Sequence, residues 1–501
     1  MRSSGILLHP SSLPGRGPIG TLGAEARAWV DFLNQAGQSW WQILPLGPTG
    51  YGDSPYMSTS SLAGNPLLID PWELLAEGLL DESSIPNAPG GTAIEWAAAR
   101  AWNNAFLTSA WERFGAIRAD WQGGGSERVR AEFEAWVEAQ RHWLDDFALF
   151  TALLDHFQGA LWSTWPAELR DRNQEALEQM HTQLADAIER IRFEQFLFDR
   201  QWRSIRAYAN QRQIGLIGDI PIFVSWNSAD VWCNPGLFLL DHTGTPTVVA
   251  GVPPDYFSPT GQRWGNPLYN WPAHAEQGYS WWIKRFQATF QWVDCVRVDH
   301  FRGFEAYWEI PASAETAIDG HWVKGPGRDV FDHVNRALGH VDIIAEDLGI
   351  ITPEVEALRD SLGYPGMKVL HFGLGDDPSS PHAPHNVQQR CVVYSGTHDN
   401  NTTVGWYNEA TEHEKHLIRV ALGSPGQDIS WEVMRAAWHT VAERAVAPVQ
   451  DVLRLGAGSR MNTPGLADGN WAWRMAAGAL TSGHAHDLRS LTAEAGRLQH
   501  P

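Results

Sequence analysis

VDCVRVDHFRGF, residues 293–304, alternates along its first half. Val293, Cys295, Arg297 and Asp299 share one parity, and Asp294, Val296 and Val298 share the other. In a strand the two sets face opposite sides of a sheet. The run is short, rich in β-branched residues and closed by Gly303, the pattern of a buried strand. It delivers an arginine and an aspartate to one face, two residues apart. An opposite charge at close range favours the ionised form of a carboxylate. An ionised aspartate ending a buried strand suits nucleophilic or electrostatic work on a substrate. The same pair would equally serve as a structural tie holding a loop in place.

Similar runs lie on both sides. Residues 6–9 read as a first strand, and 24–35 as a helix with Ala26, Trp29, Val30 and Leu33 at helical spacing and Gly37 behind it. Residues 40–46 are a second strand, and 214–223 a third that carries Asp219. The strand ending in Asp299 is fourth. Residues 341–345 are fifth and run into Glu346, 366–372 are sixth, and 391–395 are seventh and run into His398-Asp399. Residues 452–455 are expected as the eighth, followed by RMNTPG at 460–465. Eight short strands with helical segments between them fit one closed (β/α)8 barrel over residues 1–501, an α/β fold. An open doubly wound sheet fits the rhythm too. Asp299, Glu346 and Asp399 each fall just after a strand, at the face where such barrels keep their chemistry, and this favours the barrel.

Two insertions interrupt the rhythm. After the second strand, at about 75–195, the composition turns to amphipathic helices, expected at 94–114, 127–157 and 175–211, which suggests a helical subdomain. After the third, 224–272 is rich in Pro, Gly and Trp and is expected as a long active-site loop without helix or strand. Loops of that length in a compact fold are usually functional.

Composition narrows the partners. The chain of 501 residues carries 37 basic and 58 acidic side chains, a net charge of −21, which disfavours nucleic acid and anionic membranes. Its 27 tryptophans suit core packing and equally the apolar faces of sugars. Three cysteines, Cys233, Cys295 and Cys391, lie far apart, which argues against a disulfide framework and a zinc knuckle. With neither a signal peptide nor a membrane span legible, a reduced cytoplasmic setting is expected. Gly15, Gly17 and Gly20 match a dinucleotide fingerprint, but Pro14 and Pro18 crowd the turn and the second strand ends without an acidic residue for a ribose. No metal motif, phosphate loop or nucleophile elbow is present, and residues 411–416 (TEHEKH) have the wrong spacing for a zinc helix. Neither metal nor organic cofactor is expected. Three strand-end acids meeting at one mouth, with aromatics in the loops, point to glycosidic-bond chemistry.

These residues lie within longer motifs: LLHPSSLPG (7–15), WWQILPLGPTGYGDSPY (40–56), GDIPIFV (218–224), GVPPDYFSPTGQRWGNPLYNW (251–271), VRVDHFRGFEAYWEIP (296–311), IIAEDLG (343–349), THDNNTTVGW (397–406) and RMNTPG (460–465). Nearly end to end, the sequence resembles the amylomaltases, the 4-α-glucanotransferases of glycoside hydrolase family 77 in the α-amylase clan. The resemblance implies a (β/α)8 barrel with helical insertions. It also implies transfer of α-1,4-glucan segments to maltooligosaccharides or glucose by a retaining double displacement. On the matching motifs it implies Asp299 as nucleophile, Glu346 as acid/base and Asp399 as a third carboxylate holding sugar hydroxyls. Arg297 and His398 match donor-side partners, and Asp219, Tyr56, Gln262, Trp264 and Asn462 match further sugar contacts. The sequence departs from the family pattern after Tyr56, where MSTSSLAGNP is less aromatic, and at Asn401, where an aspartate is common. With Trp264, Tyr256 and Phe257 in the long loop are expected to exclude water and hold an acceptor sugar. An α-glucan hydrolase on the same scaffold is the alternative. A non-catalytic glucan-binding protein is a further one, which the three intact acids argue against. Oligomeric state is not legible.

Overall fold

Val296 and Val298 are fully buried on one side of a parallel strand, and Cys295 and Arg297 are buried on the other. A parallel sheet covered on both faces requires this double burial. The structure, a computed structural model, describes residues 2–88, 90–119, 126–254, 258–466 and 468–499. Among the described residues the strands, in chain order, are β1 (Ser3–Leu7), β2 (Trp40–Gln42), β3 (Gly215–Pro221), β4 (Val248–Val252), β5 (Gln262–Pro267), β6 (Cys295–Asp299), β7 (Ala306–Pro311), β8 (His321–Lys324), β9 (Ile343–Ala345), β10 (Gly366–Val369), β11 (Cys391–Tyr394) and β12 (Arg444–Pro448).

Eight of them form one parallel sheet in the order β10-β11-β12-β1-β2-β3-β6-β9. The Ala345 amide ending β9 donates to the Pro365 carbonyl just before β10, at 2.9 Å, and brings the two edges together. The sheet is therefore the (β/α)8 barrel expected from the sequence. Its register sets Asp219 opposite Arg297 and Pro221 opposite Asp299. It also sets Val298 opposite Ala345, so Glu346 emerges beside Asp299. Packing outside the ring is tight. Helix Ser280–Trp292 lays Trp281, Trp282 and Phe286 against the barrel, and full burial of a ring such as Phe286 contributes about 1.5–3 kcal/mol.

The structure corrects the sequence reading at three places. The eighth strand is Arg444–Pro448, not 452–455. It pairs with β1 residue for residue, from Ser3↔Arg444 to Leu7↔Pro448. Val449–Val452 has turned into a helix. Pro448 is tolerated because it falls at the last ladder position, where a missing N–H costs little. The helix expected over 175–211 is two, Gln174–Gln183 and Ala185–Gln211, meeting at Leu184 (φ −106°, ψ 19°). They follow Trp96–Ala119 and Ser126–His156 between β2 and β3. Finally, 224–272 is not an irregular loop. It holds helix Ala229–Cys233 and strands β4 and β5, which join β7 and β8 in an antiparallel sheet of order β5-β4-β7-β8. Its strands are too interrupted by Gly and Pro to read locally; β4 is completed by β7, about 60 residues on, and β5 by β4.

The glycine-rich turn after β1 holds a guanidinium. Arg474, buried, donates to the carbonyls of Leu13 (2.8 Å), Gly17 (2.6 Å) and Gly15 (3.2 Å). A dinucleotide turn presents N–H groups to phosphate, whereas this one presents carbonyl oxygens to a cation. No helix among the described residues is long and apolar enough to cross a membrane.

Candidate active site

Arg297 lies inside the barrel near its C-terminal mouth. Nη1 donates to Asp219 Oδ2 at 2.5 Å and Nη2 to Asp299 Oδ1 at 2.8 Å. The Asp219 side chain is fully buried, whereas Asp299 is 28% exposed. Of the two carboxylates sharing one guanidinium, Asp299 is thus the one presented to the mouth. Burial pushes the Asp219 carboxyl up, against the pull of Arg297. Tyr56, from the loop after β2, donates its hydroxyl to Asp219 Oδ2 at 2.7 Å and stands 2.9 Å from His398 Nε2. The Tyr56 and His398 rings stack at 5.3 Å.

Glu346 is clasped by the turn after β6. Its amide donates to the Val298 carbonyl at 3.0 Å and its carbonyl accepts from the Phe301 amide at 3.1 Å. Its carboxyl accepts from the His300 amide at 2.6 Å and the Leu348 amide at 2.8 Å. Burial pushes this carboxyl up to about 8. Arg297 and the two amides oppose the rise, and Asp299 adds to it. The rise favours the protonated form of Glu346 near neutral pH, within the field of the Asp299 carboxylate.

Asp399 completes the mouth, half-exposed at the end of the β11 segment. Asn462 Nδ2 donates to its Oδ1 at 2.6 Å, and His398 Nε2 stands 3.3 Å from its Oδ2. Burial lowers the His398 pKa, although Asp399 pulls it the other way. Gln262 and Trp264 lie on β5, where Trp264 Nε1 donates to Gln262 Oε1 at 3.1 Å. Trp264 sets its ring at 4.9 Å and 85° to His300. It is half-buried and packs on the edge of the core, 6.4 Å from the Phe223 ring. Tyr256 and Phe257 lie outside the described residues.

Asp299, Glu346, Asp219, Arg297, Tyr56, His398, Asp399 and Asn462 are thus in one connected site, and Trp264 joins it through His300, with Gln262 behind. Sequence reading missed two members, Trp471 and Arg460, while His300, directly after Asp299 and on the opposite strand face, is expected from the sequence to pack or to support the site. Trp471 packs on Tyr56 at 5.7 Å and on His398 at 6.0 Å. Arg460 donates to the carbonyls of Asp399 and Asn462, each at 2.6 Å. The His300 backbone holds Glu346. Arg460 lies in the RMNTPG motif, whereas nothing local marks Trp471. Among the described residues no group of three His, Cys, Asp or Glu side chains is placed to hold a metal ion.

A protonated acid beside a carboxylate braced by arginine, at the C-terminal mouth of a (β/α)8 barrel, places the chain among barrel proteins that work on glycosidic bonds. Comparison with known proteins narrows the class. The profile of the family described as 4-alpha-glucanotransferase, glycoside hydrolase family 77, matches residues 8–481. The 4-alpha-glucanotransferase of Thermus thermophilus is 48% identical over 505 residues, covering 99% of each chain. That of Synechocystis is 47% identical over 479 residues, covering 94% of each. The amylomaltase from Streptococcus agalactiae in complex with acarbose superposes with a TM-score of 0.94 at 38% identity, covering 99% of this chain and 100% of that one. The chain belongs to the 4-alpha-glucanotransferase family.

Proposed function

We propose that the protein transfers α-1,4-glucan segments between maltooligosaccharides, or to glucose, by a retaining double displacement. Asp299 acts as nucleophile, Glu346 as acid/base and Asp399 as the carboxylate gripping sugar hydroxyls. Arg297, His398, Asp219, Tyr56, Gln262, Trp264 and Asn462 bind and orient the glucan. The observation that carries this reading is the buried Glu346 carboxyl, pushed up to about 8 and aimed by two backbone amides beside Asp299.

In the first displacement an Asp299 oxygen attacks the anomeric carbon from the face opposite the leaving sugar. The glycosidic bond breaks, Glu346 gives its proton to the departing oxygen, and a β-linked glycosyl ester forms. In the second, the now ionised Glu346 takes the proton of an acceptor hydroxyl, whose oxygen attacks the same carbon and releases Asp299. The stereochemistry returns to α. Because leaving and entering sugars use the same place, one acid/base serves both steps. Neither step calls for a cofactor. Transfer prevails over hydrolysis when an acceptor sugar, seated against the Trp264 ring, reaches the ester before water.

The helices between β2 and β3 act as a subdomain appended to a single catalytic barrel. The three free cysteines fit a reducing cytoplasmic setting, and the net charge of −21 leaves a neutral glucan free to approach while disfavouring nucleic acid. Incubation of the purified protein with maltotriose tests the reading. Glucose plus a ladder of longer oligomers is the expected product. Glucose and maltose alone would mean hydrolysis, and an unchanged substrate would mean a protein that only binds glucan.

A further inference from the structure

At the end of the barrel opposite the three acids, the first residues of four neighbouring strands border a cavity. They are Arg444 of β12, Ser3 of β1, Trp40 of β2 and Gly215 of β3. Its volume is about 540 Å³, within the range of about 300–1,000 Å³ usual for small-molecule sites. β3 and β6, of seven and five residues, set it roughly 15–25 Å from the mouth at about 3.3 Å per residue. Trp40 forms part of the floor. Its Nε1 donates to Ser3 Oγ at 3.0 Å, and the Arg444 guanidinium lies 4.6 Å from its ring centroid. Gly215 makes room for that ring, since a Cβ there would come within 2.5 Å of Cζ3.

The walls carry polar groups that the fold itself does not use. Ser39, Gln213, Gln389 and Glu443 line the cavity, and none of their side chains hydrogen-bonds a described residue. The cations, by contrast, are already committed. Arg2 donates to the carbonyls of Thr440 (2.9 Å) and Ala495 (2.6 Å). Arg444 donates to Asp342 Oδ2 (2.5 Å) and Cys295 Sγ (3.1 Å). An anion would therefore find no free guanidinium and would meet the Glu443 carboxylate. A cation would find that single carboxylate within the fields of Arg444 and Arg390. Two amides offer donors and acceptors together, a hydroxyl does both, and a carboxylate accepts. Sugar hydroxyls, neutral and able to donate and accept at once, match that set.

We propose that this cavity is a second binding site, for a neutral sugar of one or two rings such as glucose or maltose, whose hydroxyls pair with Ser39, Gln213, Gln389 and Glu443. Glucose and maltose are the shortest species that glucan transfer produces or uses, so the choice of ligand rests on that reading. The site itself does not, because it shares no side chain with the mouth.

Thiol protection in the full chain tests it. Ser39→Cys places a reporter in the cavity wall, and Asp299→Ala in the same chain keeps the sugar from being consumed. Burial pushes the thiols of Cys233, Cys295 and Cys391 up, so they react slowly beside it. Maltose at about ten times its Kd should slow alkylation of the reporter by iodoacetamide about tenfold, since only the empty site reacts. Inorganic phosphate should give no protection. Adding Gln389→Ala or Glu443→Ala removes one hydrogen-bonding partner and should raise the half-protecting maltose concentration about tenfold. The thermal midpoint checks folding, and if only one of the two variants folds, that one decides. An alkylation rate unchanged by maltose, or protection by phosphate, overturns the proposal. So does a half-protecting concentration that neither folded variant moves, because the protection would then come from the mouth. Wild-type protein with maltotriose separates the two readings. Protection without an oligomer ladder sinks glucan transfer alone, and a ladder without protection sinks the second site alone.

Discussion

At Arg297 a single guanidinium serves two carboxylates, Asp219 at 2.5 Å and Asp299 at 2.8 Å, from a buried strand position. A lysine keeps the charge but offers one point in place of a planar fork. Arg297→Lys should therefore fold and lose about 10²- to 10³-fold in kcat on maltotriose, the scale of a misplaced reacting group. Near-normal turnover in the folded variant would reduce Arg297 to packing. Glu346 sets the pH response. As acid it must carry its proton, so kcat/KM should fall as pH rises through about 8. Its contribution to stability runs the same way. A carboxyl raised from 4.5 to about 8 on folding stabilises fully below the lower value, and that contribution is lost as pH rises through the upper one. Glu346→Gln cannot ionise, so its thermal midpoint should gain on the wild type between pH 6 and 9. A constant difference across that range would contradict a raised Glu346.

Between β11 and the following helix, a short loop carries His398 and Asp399, and one buried carboxylate pins both its ends. Asp451 accepts from Ser395 Oγ at 2.6 Å, from the Thr403 amide at 3.0 Å and from Thr403 Oγ1 at 2.8 Å. His371 Nε2 stands 2.9 Å from that same hydroxyl. Asp451→Asn removes an acceptor from this network and should cost about 1–3 kcal/mol of stability, with a fall in kcat/KM because Asp399 loses its setting. Thermal denaturation and maltotriose kinetics check it, and an unchanged value in both would mean the loop is held elsewhere. Asp451 lies three residues past β12, in the region where the sequence reading misplaced the eighth strand. Arg444–Pro448 has three apolar residues between an arginine and a proline, and its pairing with Ser3–Leu7 on one side and Cys391–Tyr394 on the other makes it a strand. Likewise β4 is completed by β7, and β5 by β4. Strands whose apolar alternation is uninterrupted, such as β6, were legible, whereas strands completed by distant partners were not.

For the molecule as a whole, the barrel and its three mouth acids could be read from the sequence because each acid follows a strand. Trp471 could not, since it reaches Tyr56 and His398 only when the C-terminal segment closes over the barrel. Folding also buries histidines in several parts of the molecule. Burial lowers His9, His300 and His371 to about 3 and His274 to about 4. A group depressed on folding stabilises above its unfolded pKa, 6.5 for these, and that contribution is lost as pH falls toward the folded value. Each can withdraw up to about 1.4 kcal/mol per pH unit over that window. Chemical denaturation followed from pH 7 to 4 should show stability falling from about pH 6.5, ahead of the range where ordinary carboxylates titrate. A plateau down to pH 5 would contradict the burial of neutral imidazoles.

The central claim is that Asp299 attacks and Glu346 handles the proton, and azide rescue with an α-glycosyl fluoride donor tests it most directly. Fluoride leaves without a proton, so Glu346→Ala still forms the β-ester, and azide attacks it from the free face to give the α-azide. In Asp299→Ala no ester forms, and azide displaces fluoride once, with inversion, to give the β-azide. The account predicts opposite anomers from the two folded variants. The same anomer from both would contradict it.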